Sequence, residues 1–344
     1  MDRGRRYKAG GRGVTRTGTG TMAMTGAMTM TWLLALLVIL AFTGCSGKAA
    51  STPGSGTVEK EYTRGQMMVV AITERNRYQN IYTGRLWSVQ AGGGETFGEK
   101  LMAQAEQFLM ELAITNLMAD QQGVELTSQE KDTIKSLAQE YYRGLAEPDR
   151  EFLDVSQDEI YELYCQYYRS DKLVAELTAG ENLEVSDAEA KVIEVQQIEL
   201  DSREEADTVL AAARAEKADF TSIAAKYSKT GQINRTLEWQ KDMDSLERQA
   251  FELEQDELSP ILEQGGRYYI LKCVNAYDEE ATAARKSRLA QEKKTRAFLG
   301  IYEPFVREHT IKLKKSPGDV VDFSGGETCT TDNFFQLYHE YFSK

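Results

Sequence analysis

The sequence has two histidines, His309 and His339, and four cysteines, Cys45, Cys165, Cys273 and Cys329, in 344 residues. That scarcity excludes several chemistries. No two cysteines form a CxxC pair and neither histidine has a cysteine nearby, so zinc lacks ligands at the spacing it needs. Both histidines read as surface helix residues rather than catalytic bases, and nothing in the pattern asks for a metal or organic cofactor. Three cysteines follow Cys45, so a single disulfide would leave one thiol free, and three structural thiols are expected. No apolar run approaches the roughly 20 residues that span a bilayer: residues 32–42 are eleven.

Positive charge is the next shortage, 41 Lys and Arg against 54 Asp and Glu. Six of the bases (Arg3, Arg5, Arg6, Lys8, Arg12 and Arg16) and one acid, Asp2, precede Cys45, which leaves 35 bases and 53 acids behind it, a net charge of −18. Such a surface repels phosphate backbones and anionic lipid headgroups, which excludes nucleic-acid binding. The apolar fraction, 41%, and about 300 residues after Cys45 suit two domains of ordinary size.

The leader runs from basic residues to the apolar stretch and then to Thr43-Gly44-Cys45, the order of a bacterial export signal. It resembles a lipoprotein signal, with Phe42 where Leu is usual. The resemblance implies loss of residues 1–44 and lipidation of Cys45, which becomes the first mature residue, outside the cytoplasm. A start at Met22 would discard every basic residue of the leader. Residues 45–58 are mostly small and polar and read as a flexible tether.

Residues 67–72 form an apolar run, expected as a strand or the start of a buried segment. Tyr78, Ile81, Tyr82 and Leu86 recur at helical spacing, and Gly92-Gly93-Gly94 reads as a turn, since no Lys-Ser/Thr follows to make a phosphate cradle. Residues 97–122 are a strongly amphipathic helix stopped by Gly123. Thr127-Ser128-Gln129-Glu130, Ser156-Gln157-Asp158-Glu159 and Ser186-Asp187-Ala188-Glu189 are helix-opening capping boxes. Tyr141, Tyr142, Tyr161, Tyr164, Tyr167 and Tyr168 are many for one core; they either line a groove, apolar body inward and hydroxyl outward, or cap seams between helices.

The pattern changes at residue 191. Residues 191–200 alternate as a strand, Ser202 and Asp219 cap two helices, residues 237–239 form a second strand, 244–252 a helix and 268–274 a third strand. The expected order is β-α-α-β-α-β. Helix then runs over about 279–310, and the tail carries a turn at Gly325-Gly326 and a short helix over 333–342 capped by Asp332.

VQQIEL (195–200), ADFTSIAAKYS (218–228), LEW (237–239), AFEL (250–253), DELSPIL (256–262) and RYYILKCV (267–274) together resemble a parvulin-type peptidyl-prolyl isomerase domain over residues 190–277. NLMADQQGVELTSQE (116–130) looks like the helical chaperone module of PrsA- and SurA-type foldases. Signal, tether, helices, parvulin segment and final helix together resemble a PrsA-like foldase lipoprotein of Gram-positive bacteria.

The fold class this implies is α+β, a mostly helical chaperone module with an inserted parvulin-like domain, a small antiparallel sheet flanked by helices. The expected division is signal 1–44, tether 45–58, helical module 59–185, parvulin-like domain 186–278, a helix over 279–315 packing back on the module, and a tail over 316–344. The implied partners are unfolded exported proteins and the membrane through its lipid anchor, with homodimerisation through the helical module.

A parvulin needs no nucleophile or metal. It desolvates an X–Pro amide and binds its twisted form better than its planar one, against a barrier of roughly 18–20 kcal/mol. The family's floor uses two histidines and a Cys or Asp. The matching positions here are Gln197, Tyr269 and Thr230, all departures. The apolar proline pocket matches at Met243, Leu246 and Phe251. Two readings stay open: a substitute polar floor with weak isomerase activity, or a degenerate parvulin fold that only binds or docks. A solute-binding lipoprotein would need two similar α/β lobes, which the pattern lacks.

Overall fold

The computed structural model describes residues 56–342. The leader, the expected lipidation site Cys45 and most of the expected tether lie outside the described residues. In chain order the elements are β1 (Gly56–Lys60), α1 (Arg64–Tyr82), a 3-10 turn (Gly84–Ser88), α2 (Phe97–Gln122), α3 (Ser128–Gly144), α4 (Glu147–Leu153), α5 (Gln157–Thr178) and α6 (Asp187–Ala190). Then come β2 (Val192–Leu200), α7 (Arg203–Ala213), α8 (Phe220–Tyr227), β3 (Asn234–Glu238), α9 (Ser245–Glu252), β4 (Leu262–Gln264) and β5 (Arg267–Asn275). The chain closes with α10 (Glu279–Glu308), β6 (His309–Leu313), α11 (Pro317–Val320) and α12 (Phe334–Phe342). The class is α+β, mostly helical, with one small antiparallel sheet and a separate parallel pair, β1 on β6.

The helix starts follow from local chemistry. Thr63, Thr96, Thr127 and Ser156 each accept from the backbone N–H three residues on, while the Gln or Glu there returns to the cap's own N–H. Two orphan donors are satisfied at each start. Gly123 ends α2 in the left-handed region at φ 70°, where a side chain would be strained. Residues 67–72 are the buried middle of α1 and not a strand. An apolar run without periodicity does not distinguish the two, and over these residues the helix is covered on all sides. A Cβ on Gly65 would come within 2.9 Å of the Asp154 carbonyl oxygen and of Val155, so α1 approaches the chain between α4 and α5 closely.

The sheet order is β3-β2-β5-β4, every pair antiparallel. Strand alternation divides its side chains. Ile198, Leu200 and Ile270 face α7 and α8, packing on Val209, Phe220 and Ala224. Ile193, Val195, Leu271 and Cys273 face α9, packing on Ala250 and Leu253. The sequence expectation lacked β4, whose three residues are too few to alternate; the Gly265-Gly266 turn, at φ 60° and 77°, folds it onto β5.

Helix α10 joins sheet and helices. Near its start Arg285 donates to the Lys191 carbonyl at 3.1 Å and pairs with Glu238 at 3.2 Å. Near its end Phe298 and Tyr302 pack with Ile114, Met118, Leu173 and Val174 of α2 and α5. His309 opens β6 rather than sitting on a surface helix; its ring stacks on Phe305 and hydrogen-bonds the Phe305 carbonyl at 3.0 Å. His339 lies on α12, where burial lowers its pKa. Cys165, Cys273 and Cys329 are all free thiols.

Candidate functional site

The α9 face of the sheet brings part of the expected isomerase floor together. Alternation puts Gln197 of β2, Arg235 of β3 and Tyr269 of β5 on this face. Gln197 is 7% exposed, so its amide needs partners. Its Nε2 donates to the Gln232 carbonyl at 3.0 Å, and its Oε1 accepts from Arg235 at 3.2 Å. Arg235 also faces Glu247 of α9 at 3.6 Å. Gln197, Arg235 and Glu247 therefore form a continuous polar chain across the face. Sequence reasoning missed Arg235 and Glu247, although the two-residue alternation with Leu237 placed Arg235 on this side.

Tyr269 is half-buried beside this chain and makes no hydrogen bond within the described residues. Burial, then the Glu199 carboxylate, hold its phenol above the ordinary value, against Arg267 and Arg235. At neutral pH it presents a neutral O–H. Thr230 does not join the floor: its hydroxyl accepts from the Gln232 backbone N–H at 3.2 Å, closing a local turn. Leu246 is buried in the first turn of α9 and Met243 is half-buried just before it. Phe251 lies near the other end of α9, packed into the sheet core with the Lys191 ammonium 5.8 Å from its ring centre. The face thus holds one free hydroxyl and an amide already engaged on both its atoms.

The tyrosines divide. Tyr141, Tyr164 and Tyr167 are buried under α12, whose Phe334, Phe335 and Tyr338 complete the cluster with Phe108. Tyr142, Tyr161 and Tyr168 are only half-buried. The buried three line a basin, and the tail fills it. Tyr338 donates to Asp171 at 2.6 Å, and burial pushes the Asp171 carboxyl up to about 6.

A different surface is open. Ile81 is 73% and Tyr82 60% exposed at the end of α1, and Tyr78, Val89 and Phe97 are also exposed. Tyr78, Ile81 and Tyr82 fall on one face of α1 by their spacing, Tyr78 meets Trp87 edge-on at 6.3 Å, and the Phe97 N–H donates to the Val89 carbonyl at 3.0 Å. Gly92, Gly93 and Gly94, all at positive φ, turn the chain between them. Beside this surface opens a groove of about 490 Å³ lined by Trp87, Met102, Glu99, Glu106, Ser316 and Phe323. Sequence reasoning placed Tyr78, Ile81, Tyr82 and Leu86 at helical spacing; α1 ends at Tyr82, and Leu86 lies instead in the 3-10 turn that follows.

No model of a known protein family matches the chain, and no curated protein matches it. Solved structures do. Foldase protein PrsA from Streptococcus pneumoniae is 20% identical, over 74% of this chain and 98% of that one, at a TM-score of 0.25. Peptidylprolyl isomerase PrsA from Bacillus cereus is 16% identical, over 72% and 97%, at 0.33. PrsA from Bacillus subtilis is 16% identical, over 69% and 97%, at 0.25.

Proposed function

We propose that this chain is an extracytoplasmic folding factor, anchored through Cys45, that holds unfolded exported polypeptides. Its working parts are a helical module over 59–185, a parvulin-like domain over 186–278 and a returning helix over 279–315. The observation that carries the reading is the open apolar surface of Tyr78, Ile81, Tyr82, Val89 and Phe97 beside the Trp87 groove. Large apolar side chains exposed together on one helical face mark an interaction site. The net charge of −18 after Cys45 keeps copies of the protein apart while leaving the surface open to apolar segments.

The parvulin-like face supports binding more than turnover. A floor that stabilises a twisted amide needs donors free to reach it. Of the three matching positions, the Gln197 amide is held by Gln232 and Arg235, the Thr230 hydroxyl accepts within its own turn away from the floor, and the Tyr269 hydroxyl stands on the face without a hydrogen bond among the described residues. In this reading Met243, Leu246 and Phe251 hold apolar side chains, and isomerisation is weak.

Two assays separate the parts. Stoichiometric chain should suppress aggregation of a reduced, unfolded protein; no effect at excess refutes the folding-factor reading. A protease-coupled assay on a short X–Pro peptide should show little acceleration; turnover comparable to that of an ordinary isomerase would overturn the binding assignment for the sheet face.

A further inference from the structure

The C-terminal segment is held as a bound peptide would be held. Between residues 321 and 333 it has no helix or strand, and side chains of α1 and α4 contact its backbone. Arg75 donates to the Phe323 carbonyl at 2.9 Å, to Gly325 at 2.7 Å and to Gly326 at 3.4 Å. Asn76 donates to the carbonyls of Cys329 at 3.1 Å and Thr331 at 2.9 Å, and Asp149 accepts from the Thr330 N–H at 2.7 Å. Arg75, Asn76 and Asp149 are all buried. Past these contacts Phe334, Phe335 and Tyr338 enter the basin of Phe108, Tyr141, Tyr164 and Tyr167.

Two features set this apart from ordinary core. Arg75 is a buried guanidinium with no carboxylate at ion-pair distance among the described residues; its partners are carbonyls of one segment and the side chain of Asn76. A buried charge held mainly by main-chain carbonyls reads a backbone and not a sequence, while aromatic pockets take side chains at intervals, the division of labour in sites that capture polypeptide. Second, α12 is the last described element, so residues 323–342 can leave without unthreading any other described element. Its start also touches the open apolar surface: the Phe323 ring meets Trp87 edge-on at 5.2 Å.

We propose that this basin is a polypeptide-binding site, occupied at rest by residues 323–342 of the chain itself. In the working protein it takes a segment of unfolded polypeptide with two adjacent large apolar side chains followed by an aromatic one at helical spacing. Arg75, Asn76 and Asp149 grip the main chain of that segment, and Tyr164 and Tyr167 receive its rings. The inference rests on the folding-factor reading. A client landing on Ile81 and Tyr82 sits beside the point where the tail enters.

The test locks the tail. Glu140 and Tyr341 are in hydrogen-bond contact across α3 and α12. In a full chain carrying Cys45→Ser and Cys165→Ser, Glu140→Cys and Tyr341→Cys are joined by a short bismaleimide; Cys273 and Cys329 are buried and do not compete. The first probe is a fluorescein-labelled peptide of residues 324–342. It should bind the unlocked chain and bind the locked chain at least tenfold more weakly, and locking should cut suppression of client aggregation several-fold. Equal binding to both forms, or binding to neither, makes the tail a permanent part of the core and overturns the proposal. Full suppression with the tail locked overturns it as well, whereas a wild-type chain that suppresses nothing refutes the folding-factor reading instead.

Discussion

Tyr164 of α5 stacks on Phe334 of α12 with ring centres 4.2 Å apart and planes within 5°, and its hydroxyl donates to the Phe334 carbonyl at 2.8 Å. One side chain thus holds both the ring and the backbone of the same tail residue. Neither residue has measurable exposure. Phe334→Ala removes the ring and leaves a cavity, and should cost about 3–5 kcal/mol of whatever equilibrium the docked tail contributes to. Urea unfolding followed by far-UV circular dichroism, with a dye that reports exposed apolar surface, reads it. If the tail is a separable occupant, dye binding rises at urea concentrations well below the main transition.

Glu111 of α2 is 4% exposed, accepts from Gln107 and leaves its other oxygen without a partner. Burial pushes its carboxyl from 4.5 up to about 7. A folded-state value above the unfolded one means the native state holds the proton more tightly. Its stabilising contribution is therefore complete below about pH 4.5 and is lost as pH rises toward about 7. Glu111→Gln should raise stability by ~1–3 kcal/mol at pH 8 and hardly at all at pH 4. Thermal melts of both proteins across that range check it.

The Gln197–Arg235 pair predicts non-additive energetics. Arg235→Met leaves the buried Gln197 oxygen without its donor, at about 1–3 kcal/mol. Replacing both, Gln197→Leu with Arg235→Met, removes the need for that donor and should cost less than the two single changes together. A double-mutant cycle in urea measures the coupling, expected at about 0.5–3 kcal/mol.

Elements with a local cause were legible in the sequence. The capping boxes at Thr127 and Ser156 start helices where expected, and Ser202, Asp219 and Asp244 each accept from the first turn they precede. The alternation of residues 191–200 gives β2. What needed tertiary information was not legible. Residues 67–72 are buried, as one of the two readings expected, but their being helix rather than strand depends on neighbours distant in sequence. The pairing of β1 with β6 joins residues some 250 positions apart. The choice between groove and seam for the tyrosines depends on α12, whose docking site no local pattern encodes. In the candidate floor, residue types at aligned positions identified Gln197 and Tyr269, but their hydrogen-bond state required Gln232 and Arg235, and Thr230 turned away to close its own loop.

The open surface of α1 gives the most direct test of the folding-factor account. Ile81→Asp with Tyr82→Asp adds charge to side chains that are mostly in solvent, so stability should change by no more than about 0.5 kcal/mol per site. The measurement is light scattering from a reduced, unfolded protein as it aggregates, with wild-type or variant chain at equal stoichiometry. The account predicts suppression by the wild type and at least a several-fold weaker effect from the variant, with matching melts for the two. Equal suppression by both, or none by the wild type, would contradict it.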